Sequence, residues 1–272
     1  KLKRSVRGIP SSVSKLRFRF ARIVASYWYS KKGVGGNSLT KRQRQVLETL
    51  KAQVKPEMAR RAAKCGMVLE DDVFVRYLRA ANWRLEFPDR PVVEALEHTI
   101  QWRSSTPVVS RPQSINPRRD LLEAFHTPWR PPILTARGEY LLAFHCAKTP
   151  KKVSVNLWSD HLVHTVESAL RQCDYVSVVV DGRGCSPRRL LEAAKTVAPA
   201  FNELRTHYCG RLGRVYVLGS GKGVLATWWF VKKFLDERTR DKIFFVHDAR
   251  KLIPYIHHRD HKRLLAALDD DH

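Results

Sequence analysis

At 272 residues and 31.4 kDa, with 43% hydrophobic residues, the chain is long enough to bury a large core and too apolar to be disordered. Fifty Lys and Arg against 26 Asp and Glu give a net charge of +24 and a pI near 10.3, which calls for a polyanionic partner, nucleic acid or anionic membrane. No apolar run approaches the ~18 residues of a membrane span. Five scattered cysteines without a C-x-x-C pair argue for reduced thiols and against a disulfide scaffold or a cysteine zinc site.

The charge is not confined to one end. The first 47 residues hold 13 basic residues and no acid, which leaves +11 for the rest. Residues 1–38 read as a basic arm rich in Arg and Ser, a composition shared by organellar transit segments, interfacial helices and RNA-binding arms. Arg17, Arg19, Arg22, Lys31 and Lys32 are the candidates for holding an anionic partner, and Tyr27, Trp28 and Tyr29 among them suit stacking on bases. The plainer reading is a solvated tail. A start at Lys1 rather than Met is expected of a trimmed product. Gly33 to Asn37 forms a linker.

Residues 39–105 predict a small helical lobe. Thr40 can cap a helix through Val46, Leu47 and Leu50. Glu70-Asp71-Asp72 opens a second, with Val73, Phe74, Tyr77 and Leu78 inward and its acids where the helix dipole favours them. Val92, Leu96 and Ile100 repeat at helical spacing ahead of Trp102-Arg103. Residues 106–135 are loop-rich, with six prolines.

From there strands alternate with helices, the pattern of an α/β sheet. Tyr140–Phe144 is a strand, 159–173 an amphipathic helix, 175–180 a β-branched strand, and 187–204 a helix. Val215–Leu218 is a buried strand broken by Gly219-Ser220-Gly221-Lys222-Gly223. A helix over 224–235 follows, then a charged turn and the strand Ile243–Val246. The 224–235 helix is apolar most of the way round, so it needs cover on two sides. Residues 257–272 read as a polar C-terminal tail.

Three stretches carry a resemblance: Arg211 to Leu218, Lys233-Phe234-Leu235-Asp236, and Thr239-Arg240-Asp241-Lys242-Ile243. Together with Leu78-Arg79-Ala80 and Gln101-Trp102-Arg103 in the helical lobe, they resemble the CRAL-TRIO lipid-binding domain. That family includes phosphatidylinositol- and tocopherol-transfer proteins and retinaldehyde-binding proteins. The resemblance implies an α/β fold, a mixed sheet flanked by helices behind a small all-helical lobe, with the lipid-binding domain over 106–256. It also implies that 224–235 is a mobile gate over a lipid pocket. Val224, Leu225, Trp228, Phe230 and Val231 would then line the pocket mouth, and Tyr140, Leu142, Val178, Val180, Tyr216 and Leu218 its floor.

The inositol headgroup set of the family is largely missing. Its basic pair falls on Ala81 and Asn82, its Tyr-Pro-Glu-Arg motif reads Tyr208-Cys209-Gly210-Arg211, and only Lys242 is kept. A phosphoinositide needs several fixed cations, so this ligand is disfavoured. Gly221 and Lys222 sit between strand and helix, where free backbone N–H groups take an anion; the glycines serve equally as a hinge, and the spacing matches no nucleotide motif. His161 and His164, and the cluster His257, His258 and His261, fit partly exposed polar positions better than a metal site.

With no G-x-S-x-G elbow, Cys/His pair or carboxylate pair of clear role, the expectation is a non-enzyme with no cofactor beyond a bound lipid. The leading reading is binding or transfer of a hydrophobic lipid, with an anionic membrane surface or RNA as partner. The alternative is a structural or assembly part of a ribonucleoprotein or other large organellar complex, of mitochondrial ribosome type, with the arm on RNA. Either places the protein inside the cell, in mitochondria or at a membrane surface.

Overall fold

The computed structural model describes residues 39–106, 118–126, 132–219 and 237–269, with single positions at 109, 224, 228, 229, 232 and 235. The basic arm, Gly221, Lys222, Leu225, Phe230 and Val231 lie outside the described residues.

The helical lobe comprises α1 (Lys41–Gln53), α2 (Pro56–Lys64), α3 (Asp71–Ala80) and α4 (Val92–Ser105). Thr40 caps α1 through a capping box: its hydroxyl accepts from the Gln43 N–H at 3.2 Å, and the Gln43 side chain accepts from the Thr40 N–H at 3.0 Å. Leu50, Ala62, Leu78, Val92, Leu96 and Ile100 are fully buried and form the lobe's own core. Helix α3 buries six consecutive residues from Val73 to Leu78, Arg76 among them. A helix covered on all sides is a central one; α3 lies between the lobe's core and the rest of the chain, which it meets at Gly210.

The second unit contains α5 (Arg119–Ala124), β1 (Phe125–His126), β2 (Tyr140–His145), α6 (Val155–Leu170), β3 (Val176–Asp181), α7 (Pro187–His207), β4 (Leu212–Leu218), α8 (Glu237–Arg240), β5 (Ile243–Val246) and α9 (His261–Asp269). The sheet order is β1-β2-β3-β4-β5, with β2 to β5 parallel and β1 antiparallel at one edge. The fold class is therefore α/β, a mixed sheet behind an all-helical lobe. Helices α6 and α7, which join β2 to β3 and β3 to β4, lie on one face of the sheet, as right-handed crossovers between strands in chain order require. Leu142, Phe144, Val176 and Val178 accordingly pack with Trp158 and Leu162 of α6 and with Leu190 and Val197 of α7.

The opposite face carries Leu141, Ala143, Val179, Tyr216, Leu218 and Val246. It is covered by a 3-10 segment (Ala249–Tyr255) and α9, in which Leu264 and Leu268 are fully buried. The segment read as a polar tail is thus part of the core. Its apolar signal is the five-residue run Leu264-Leu265-Ala266-Ala267-Leu268, too short to stand out between charges. Buried Asp260 anchors it, accepting from the Leu134 N–H (3.1 Å) and from Arg263 (3.0 Å).

Strand β4 departs from strict alternation. Val176 pairs with Leu212 but Val178 pairs with Val215, so three residues of β4 span two of β3. Such a bulge reverses the facing of every later side chain. Tyr216 and Leu218, expected on the pocket floor, consequently face the C-terminal segment, and Val215 and Val217 take the floor.

Candidate functional site

A cavity of about 2330 Å³ lies between the sheet, α7 and the side chains of Val224, Trp228 and Leu235. Its floor is Leu142, Phe144, Val176, Val178, Val180, Val215 and Val217; one wall is Leu190, Val197 and Phe201 of α7. Val224, Trp228 and Leu235 close the other side, and Leu85 and Phe87 reach its rim from the helical lobe. Ordinary small-molecule pockets run to ~300–1,000 Å³, so this space suits a long apolar molecule.

The structure brings together Leu142, Val178, Val180, Val224, Trp228 and Lys242 of the predicted set. Tyr140 lies in the same core layer but does not line the cavity. The two adjacent tryptophans diverge. Trp228 is half-buried, edge-on to Phe245 at 5.4 Å, whereas Trp229 is 63% exposed with the Lys232 ammonium 4.0 Å over its ring. Val215 and Val217 were not foreseen on the floor, because their facing depends on the bulge. Nor were Leu85 and Phe87, which follow a left-handed turn at Asn82 and Trp83 (φ 58° at each).

The end of the cavity beside the lobe is polar. Arg76, Arg211, Arg214 and Lys242 line it. Arg76 is buried and pairs with Asp72; burial first, then the Arg211 charge, lowers its guanidinium to about 10. Burial also lowers Arg211, opposed chiefly by Asp174, whose carbonyl accepts from it at 2.8 Å. Lys242 donates to the Leu212 carbonyl at 2.8 Å. Gly210 adopts φ +71°, and a Cβ there would meet the Arg76 stem at 3.1 Å, so glycine suits the close approach. Tyr208, at the cavity's edge, donates its hydroxyl to Glu167 (2.8 Å).

Glu167 is also gripped by both Nη atoms of Arg103, at 2.7 and 3.3 Å, and this pair ties α4 to α6. Beside it Trp102 stacks flat on His207 (4.1 Å, 6°) and donates to Glu203 (2.7 Å). The Tyr77 hydroxyl donates to Thr99, whose Oγ1 is 3.2 Å from His207 Nδ1. Burial, reinforced by nearby His98 and Arg103, lowers His207 to about 4. The seam holds the lobe at the cavity's polar end.

The histidines do not assemble a metal site: among the described residues no group of three or more His, Cys, Asp and Glu could hold an ion. His161 is buried, its Nε2 against the Phe125 carbonyl, and burial lowers its pKa. All five cysteines are free thiols.

Residues 138–264, from the turn before β2 into α9, match the family profile described as the CRAL/TRIO domain. These residues are a CRAL/TRIO domain. A CRAL-TRIO domain-containing protein of Schizosaccharomyces pombe is 25% identical over 192 residues, 68% of this chain. The chain spans only 18% of that protein's length. The crystal structure of Sfh5 superposes on 80% of this chain and 84% of its own with a TM-score of 0.61 at 17% identity, a likeness of fold that includes helices ahead of the CRAL/TRIO domain.

Proposed function

We propose that this CRAL/TRIO protein binds a hydrophobic lipid in the cavity between the sheet, α7 and Val224, Trp228 and Leu235, without bond-breaking chemistry. The observation that carries the reading is the cavity itself: about 2330 Å³ with a wall of Val, Leu and Phe side chains. Burial of an acyl or isoprenoid chain there gains about 0.8 kcal/mol per CH₂. The general lipid-binding character of CRAL/TRIO proteins agrees with it.

In this reading the 224–235 segment is the gate. Val224 and Trp228 face the ligand, and outward-facing Trp229 meets the membrane when the segment swings away. The arginines at the lobe end would take the ligand's polar group. With Ala81 and Asn82 in place of the basic pair, an inositol phosphate is a poor candidate.

Loading with a fluorescent long-chain lipid tests this. Val178→Trp, which fills the floor, should weaken binding more than about tenfold. Val179→Leu, on the opposite face, should leave affinity within about twofold for folded protein. Equal affinities in wild type and Val178→Trp would refute the cavity as the site.

A further inference from the structure

A second surface stands at the carboxyl ends of β2 and β3. The loop after β2 carries Lys148, Lys151 and Lys152, all exposed, and the first turn of α7 carries Arg188 and Arg189. Arg189 donates to the carbonyls of Ala147 (3.3 Å) and Thr149, which draws the loop against the start of α7. One basic surface results from two separate crossover connections.

Helix stability does not explain these charges. Neither α6 nor α7 has an acid in its first turn, and basic residues there oppose the helix dipole. Glu192 meets Arg188 at 3.0 Å, while among the described residues no acid lies within ion-pair distance of Lys151, Lys152 or Arg189, so the charge of these three is not cancelled locally. Val153 packs partly buried against the core, Ser154 caps α6, and Val155 follows 48% exposed, close in sequence to the lysines.

Basic side chains around an exposed aliphatic one match the chemistry of an anionic bilayer surface, whose headgroups attract the charges and whose acyl boundary accepts the valine. A single-stranded nucleic-acid surface would call for aromatic rings among the charges on which bases stack, and the exposed apolar side chain here is the aliphatic Val155. The cavity reaches this same edge through Cys146, Gly182, Leu190 and Val224.

We propose that the surface formed by Lys148, Lys151, Lys152, Val155, Arg188 and Arg189 docks the protein on anionic lipid, with the carboxyl edge of the sheet toward the bilayer. Its role in delivering a ligand rests on the lipid-binding reading above; the docking itself does not.

The test is co-sedimentation of the full chain with phosphatidylcholine vesicles containing or lacking phosphatidylserine. Each basic residue held at an anionic surface is worth about fivefold in affinity. The variant Lys151→Glu/Lys152→Glu/Arg188→Glu should therefore lose more than about tenfold on the anionic vesicles. A charge-matched variant of the helical lobe, Lys41→Glu/Arg42→Glu/Lys55→Glu, should stay within about twofold. Equal losses in both variants, or none in the first, would overturn the proposal. So would loss of binding to a single-stranded RNA oligomer with vesicle binding kept.

Hydrogen exchange on the unmutated protein supplies a measurement that does not depend on a variant folding. Anionic vesicles should protect amides within 148–155 and 183–189, and protection confined to other segments would overturn the assignment. Co-purified lipid is read separately. A lipid-loaded protein that docks elsewhere sinks this surface and spares the cavity; an empty protein that docks here does the reverse.

Discussion

Gly213 shows how far a single missing side chain shapes the sheet. A Cβ at this position would lie 2.5–2.7 Å from the Glu139 carboxyl group, which is wholly buried and accepts from Thr135 (3.1 Å) and Ser177 (2.6 Å). The glycine sits in the β4 bulge, so the carboxylate and the bulge occupy space that only a glycine leaves open. Gly213→Ala should destabilise the fold by about 1–3 kcal/mol, read as a lower denaturant midpoint; an unchanged midpoint would mean that Glu139 moves aside freely. His207 ties stability to pH. Its folded pKa, about 4, lies below the ordinary 6.5, so the unfolded chain binds the proton more readily. The associated stability is present above pH ~6.5 and is lost as pH falls toward ~4, by up to about 3 kcal/mol. His207→Gln should flatten the pH dependence in that window, leaving the part due to His161 and His164, which burial also lowers. An unaltered pH profile of melting would contradict this.

At the scale of elements, the parallel strands and the helices between them were legible because each has a strong local signal: β-branched runs for β3 and β4, and inward apolar spacing for α6 and α7. What was not legible depends on contacts between elements. The facing of Tyr216 and Leu218 is set by a bulge that exists only once β4 pairs with β3. The core role of α9 depends on Asp260, which reads as one more charge in a charged segment until it is placed beneath the Leu134 amide. Removing α9 exposes the face carrying Leu141, Val179 and Tyr216. A chain ending at Ile256 should therefore aggregate or lose cooperative unfolding, and Leu264→Ala alone should cost about 2–4 kcal/mol. A truncated chain that unfolds as cooperatively as the full one would show that the C-terminal segment is dispensable.

At the scale of the molecule, the helical lobe and the CRAL/TRIO domain meet through the Arg103–Glu167–Tyr208 cluster and the Trp102–His207 stack, beside the cavity's polar end. The cavity was foreseeable as a consequence of the family likeness, but its floor was only half readable, because Leu142, Val178 and Val180 line it while Tyr216 and Leu218 do not. The central claim is that this space holds a lipid. The most direct measurement is native mass spectrometry of the protein isolated gently from its source, followed by lipid and nucleic-acid extraction. The account predicts one co-purifying lipid in about one-to-one ratio, lost from Val178→Trp. An empty protein that arrives with RNA or within a large assembly would contradict it, and would make the CRAL/TRIO fold an architectural part instead.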